Sequence, residues 1–152
     1  MDSPASVFDV KMGGPETTDQ IMATLGFRFN QLINQTHFPL TVQTPWVDEI
    51  ELIHVPNELD LGEGIQLITD HGLDCPTHEH AIRFAGEYGC KIEIRGSVIF
   101  VHEGWVDQRR KCRFIALACR ARHRFLYLSY PDITLKPHCL LAGVRPRRRQ
   151  SI

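Results

Sequence analysis

Two hydrophobic periods run through this chain and divide it into helices and strands. Ile21, Leu25, Phe29, Leu32 and Ile33 fall on one helical face, and Gln20 stands three residues after Thr17, the spacing of a capping box. The pattern predicts an amphipathic helix from Thr17 to about Asn34, weakened by Gly26. Glu49 and Glu51 then alternate with Ile50 and Leu52, as in a half-buried strand running to Val55 and stopped by Pro56. Ile65 to His71 reads as a short helix closed by Gly72, with Leu73 tucked behind it. Pro76 opens another helix, with Ala81, Ile82, Ala85 and Tyr88 inward and Gly89 as its stop.

Beyond that point the period is two. Cys90 to Arg95 alternates, Gly96-Ser97 suits a tight turn, and Val98 to Val101 would return as a second strand. Residues 105–130 fit two descriptions. Cys112, Ile115, Ala116 and Cys119 would line a helix, whereas Cys112–Cys119 and Arg124–Tyr130 also read as strands about a turn at Arg120–His123. Phe114, Ile115, Phe125, Leu126, Tyr127 and Leu128 are β-favouring, which tips the reading to a hairpin. Pro4, Gly13, Gly14 and Pro15 make residues 1–16 a flexible lead-in, and residues 145–152 form a basic tail after the apolar run Cys139–Val144. The expectation is one α+β domain over residues 17–144. It has an N-terminal helix, a central helix pair and a mostly antiparallel β-sheet.

Composition agrees with a single domain of 152 residues: 43% hydrophobic and 23% charged, with a core of useful size. No apolar stretch reaches the roughly 18 residues of a membrane span, and the first residues lack the pattern of a secretory signal. Five scattered cysteines argue for reduced thiols and a cytoplasmic setting.

Charge changes the picture more. Residues 1–108 carry five Lys and Arg against 17 Asp and Glu, while residues 109–152 carry 12 against the single Asp132. The overall charge of −1 conceals this division. The basic residues Arg109, Arg110, Lys111, Arg113, Arg120, Arg122, Arg124, Arg145, Arg147, Arg148 and Arg149 are interleaved with Phe114, Phe125, Tyr127 and Tyr130. Guanidinium groups beside aromatic rings supply phosphate contacts and base stacking, the chemistry of single-stranded nucleic-acid binding. The other reading is that these arginines answer Asp48, Glu49 and Glu51 across the fold, or the acidic surface of a protein partner.

Other chemistry is thinner. His71, Cys75, His78 and His80 include zinc-binding types, but on a helix His78 and His80 point to nearly opposite sides. A metal-dependent enzyme or zinc protein centred on Cys75, His78 and His80 is the alternative; otherwise no cofactor is expected. A helix-turn-helix about Gly72-Leu73 would present Glu79 and Glu87 to the groove, which reads poorly. There is no G-x-S-x-G turn and no P-loop lysine.

With Trp46 upstream, Leu61-Gly62-Glu63-Gly64, Gly72-Leu73-Asp74-Cys75-Pro76 and then Ile82-Arg83 give residues 46–100 or so the layout of a strand, two helices and a β-rich remainder. In this the chain resembles a group of small uncharacterised bacterial proteins. The resemblance implies a bacterial source and a small α+β fold, and no activity. The functional expectation is a non-catalytic accessory protein that binds nucleic acid or an acidic protein surface through its basic last third. A homo-oligomer built on pairing of acidic and basic surfaces is a further expectation.

Overall fold

A computed structural model describes residues 6–94, 96–120 and 123–146. The elements are β1 (Ser6–Gly14), α1 (Thr18–Ala23), β2 (Arg28–Phe29), β3 (Gln43–His54), α2 (Leu61–Asp70), α3 (His78–Tyr88), β4 (Gly96–Ile99), β5 (Trp105–Val106), β6 (Cys112–Arg120), β7 (His123–Ser129) and β8 (Leu140–Val144). One mixed sheet runs in the order β1-β3-β8-β4-β6-β7-β2, with β5 added to β6. Among the described residues, only the β4–β8 and β2–β7 pairings are parallel. The α+β expectation holds in outline, with the sheet dominant.

Alternate residues of the central strands β3, β4, β6 and β8 enter two separate cores. Ile50, Leu52, Val98, Ile115, Leu117, Leu126 and Ala142 face α1 and α3, while Ile53, Ile99, Ala116 and Leu141 face α2. Strands β6 and β8 are therefore buried on both faces over most of their length, and their sequences are apolar runs without alternation. The division also separates α2 from α3: they lie on opposite faces and form no central pair. That removes the helix-turn-helix geometry.

Several expectations are corrected. Helix α1 has the Thr17–Gln20 capping box but ends at Ala23, not near Asn34, because Gly26 takes φ +77° and turns the chain. Residues 30–40 form a loop stitched to α1: Thr18 and Gln35 meet at 2.7 Å, and Gln35 N–H donates to Asp19 at 3.0 Å. Ile21, Leu25 and Ile33 of the supposed stripe are still buried, by the loop and the helix together.

The lead-in contains β1. Its Phe8, Val10 and Met12 alternate with Asp9 and Lys11, and Gly13 and Gly14, at φ +70° and +94°, end the strand instead of preventing it. Helix α3 covers the strand's outer edge, with the Tyr88 hydroxyl donating to the Asp9 carbonyl and Gly13 N–H donating to Glu79. The hairpin expected over residues 90–101 does not form. Lys91 and Ile92 N–H groups bond back to Tyr88, and β4 pairs with β6 and β8 instead. The β6–β7 hairpin forms as expected, with seven paired positions from Phe114–Ser129 to Arg120–His123.

Candidate ligand cleft

Three separated segments meet at one end of the sheet. The β5–β6 connection begins with Asp107, whose carboxylate accepts the Arg109 and Lys111 N–H groups at 2.8 and 3.0 Å. Those two N–H groups and the Arg113 and Arg109 cations hold the Asp107 carboxyl below its usual range, with the Lys111 bond the largest contribution. Arg110 occupies the turn at φ +61°. Gly104 lets β5 press against β6: a Cβ there would lie 1.6 Å from the Arg113 carbonyl oxygen. The close approach places Trp105 opposite Arg113 in the β5–β6 register.

The loop after α1 brings the second wall. His37 stacks on Trp105 with ring centroids 4.1 Å apart, its Nδ1 3.2 Å from the Leu32 carbonyl. The end of β7 brings the third. Arg113 lies over the Tyr130 ring at 4.0 Å, donates from Nη2 to the Leu128 carbonyl at 3.0 Å, and sits 3.7 Å from Asp107. Its buried Nε has no hydrogen-bond partner among the described residues. Between these walls is a cleft of about 360 Å³ lined by Leu32, His37, Trp105, Asp107, Gln108, Arg109, Arg113 and Tyr130. Exposed Arg109 lines it, exposed Arg110 and Lys111 follow in the chain, and Lys111 Nζ lies 5.6 Å over the Tyr130 ring.

Behind the cleft, Phe38 packs against Trp105, His78 and His102. His102 is buried as a neutral ring, its Nδ1–H donated to the Glu103 carbonyl and its Nε2 accepting Ile115 N–H at 3.0 Å. Burial, with a smaller contribution from His78, pushes its pKa down to about 4.

The arginines singled out in the sequence divide by neighbourhood. Arg109, Arg110, Lys111 and Arg113 gather at the cleft. Arg120 is exposed at the far end of β6. Arg124 instead serves the fold, donating to the Gly89 and Ile92 carbonyls at 3.2 and 2.7 Å beyond the C-terminus of α3. Arg145 is no free tail residue: its N–H extends the sheet to Glu49, and its guanidinium holds Glu49 and Glu51 at 2.9 Å each. Arg122, Arg147, Arg148 and Arg149 lie outside the described residues.

The alternative metal set is not assembled. His78 Nε2 is 2.7 Å from the Pro39 carbonyl. His80 accepts Thr77 N–H at Nδ1, which leaves the proton on Nε2 for the buried Asp48 carboxylate at 2.8 Å. Burial and then Asp74 push the Cys75 thiol up, away from the thiolate that binds metal. Among the described residues no group of three or more His, Cys, Asp or Glu is placed to hold a metal ion. Nor is any helix among them long and apolar enough to cross a membrane.

Leu32, His37, Gly104, Trp105, Asp107 and Gln108 are cleft residues that the sequence reading did not select. A signal was present in Asp107-Gln108-Arg109-Arg110-Lys111, a turn-forming Asp followed by three cations. Comparison of the chain with protein-family models, curated proteins and solved structures finds no match.

Proposed function

We propose that this protein binds single-stranded nucleic acid, taking an unpaired base into the cleft and its flanking phosphates on the rim. The observation that carries the reading is the pairing of two flat walls, His37 on Trp105 and Arg113 on Tyr130, in a cleft lined by Arg109, with exposed Arg110 and Lys111 next to it in the chain. Each chemical demand of a nucleotide has a counterpart there. The planar base meets planar faces, the anionic phosphate meets exposed cations, and exposed Gln108 offers polar atoms to the base edge. A paired base inside a duplex presents no free face to such a cleft, so the reading favours single strands over duplex. An acidic protein surface would use the cations and leave the aromatic walls without a role.

Fluorescence anisotropy with single-stranded and duplex oligonucleotides tests the proposal. Trp105→Ala is expected to weaken single-strand binding by about 1–3 kcal/mol, roughly five- to 150-fold, which is the worth of one base–aromatic stack. Equal binding of duplex, or no effect of the Trp105 change, contradicts it.

A further inference from the structure

We infer that the bound strand continues out of the cleft, over the edge of β7, onto a second stacking surface made by Phe125 and Tyr127. This inference rests on the nucleic-acid reading of the cleft and extends its site to the opposite face of the sheet.

Phe125 and Tyr127 are two residues apart on β7 and therefore share a face, the one opposite Leu126 and Leu128. Their rings are parallel within 1° and their centroids are 6.2 Å apart. Phe125 is 41% exposed, so its ring face is open to a ligand. The Tyr127 hydroxyl reaches Ser97 at 3.4 Å, which helps hold the ring in place. Two cations belong to the same surface. Arg28 is the registered neighbour of Phe125 across the parallel β2–β7 pair, and both border a shallow depression with Phe27 and Gln31. Arg120 lies near enough to Tyr127 to lower its phenol pKa, although burial dominates and raises it. Arg28 and Arg120 are both exposed and form no salt bridge among the described residues.

The ring spacing indicates the kind of strand. At 6.2 Å it is nearly twice the ~3.4 Å rise between stacked nucleotides of a duplex strand. The bases must therefore be splayed, one on each ring, with phosphates turned to Arg28 and Arg120. Continuity with the cleft comes from β7 itself. Tyr130 lines the cleft, and Phe125 stands five residues back along the strand, roughly 16 Å at the ~3.3 Å rise per residue. β2 pairs with β7 at Phe125 and Leu126 and Asn30 N–H adds a bond to the Leu126 carbonyl, and among the described residues no strand pairs with the outer edge beyond, so the nucleic-acid strand passes over this edge beside the loop that follows β2.

The test compares a dinucleotide with an oligonucleotide of about eight residues, a length within the usual span of single-strand sites. Both are titrated by anisotropy into the full chain, into Phe125→Ala and Arg120→Gln, and into Trp105→Ala. Phe125 and Arg120 are exposed, so their variants are expected to keep the fold, with circular dichroism as the check. The inference predicts that the longer ligand binds about tenfold or more tightly, and that Phe125→Ala or Arg120→Gln removes this advantage while dinucleotide affinity stays unchanged. A length advantage that survives both changes, or no length advantage, overturns the second surface. The cleft reading then still stands if Trp105→Ala weakens both ligands. If Trp105→Ala affects neither ligand while Phe125→Ala weakens the longer one, the second surface stands and the cleft reading falls. No binding of either ligand at low salt overturns both.

Discussion

The two ends of the sheet treat charge in opposite ways. At the β1–β3–β8 end charges are cancelled at short range: Arg145 holds Glu49 and Glu51, Arg83 holds Glu79 and approaches Glu16, and Asp48 takes the His80 N–H. At the β5–β6–β7 end Arg109, Arg110, Lys111 and Arg120 stand in solvent with no salt bridge among the described residues, beside Trp105, Tyr130, Tyr127 and Phe125. The lesson concerns the arginine-rich last third, which is not one functional unit. Arg124 and Arg145 belong to the fold, whereas Arg109, Arg110, Lys111 and Arg120 remain available to an anion.

Variants that damage one end and spare the other sharpen this contrast. The largest effect is expected from Gly104→Ala. With a Cβ 1.6 Å from the Arg113 carbonyl, β5 must leave β6, so the variant should lose about 3 kcal/mol or more of stability and its oligonucleotide binding as well. Chemical denaturation and anisotropy measure the two losses. A normal denaturation midpoint would show that the close approach is not needed.

Acid acts on the same end through His102. Its pKa is about 4 in the folded chain against roughly 6.5 when unfolded, so the unfolded state binds more protons across that interval. Stability from His102 is fully present above about pH 6.5, falls as pH drops toward 4, and amounts to about 3 kcal/mol over that window. His102→Gln should therefore show a shallower acid loss than the parent between those pH values. Parallel stability curves would remove His102 from the account.

Smaller effects separate the two kinds of arginine. Arg124→Ala removes charged donors from the Gly89 and Ile92 carbonyls and is expected to cost about 2 kcal/mol of stability. Arg145→Ala breaks an exposed pair of ion contacts and should cost much less stability than Arg124→Ala, least of all at high salt. Neither should change dinucleotide affinity. A large affinity loss in Arg145→Ala would undo the contrast between the ends.

Local chemistry was legible in the sequence where it needed no distant partner. The Thr17–Gln20 box, the strand around Glu49–Val55, the helix after Pro76 and the β6–β7 hairpin all follow from spacing within a few residues. The start of α2 could have been read too, since Asp60 and Glu63 form the reciprocal cap that begins it. What misled was tertiary. The stripe Ile21, Leu25 and Ile33 is apolar because a helix and a loop share one core, not because one helix runs through it. Residues 90–94 alternate but serve to finish α3, with carbonyls of Gly89 and Ile92 taken by Arg124. The cleft was legible only in part. Arg109, Arg113 and Tyr130 stood out by type, but Leu32 and His37 reach the cleft from a distant part of the chain, as in the His37–Trp105 stack, which no local pattern encodes.

The central claim is that the exposed cations at the β5–β6 end contact phosphate. It is tested most directly by the salt dependence of binding of a single-stranded oligonucleotide to the parent chain and to a variant with Arg109, Arg110 and Lys111 all changed to Ala. Each phosphate contact contributes a slope of about −0.7 in log K against log salt for single strands, so three lost contacts should flatten the slope by about 2. A parent chain that binds with a steep slope and a variant flattened by that amount would meet the prediction. An unchanged slope, or no binding by the parent even at low salt, would contradict it.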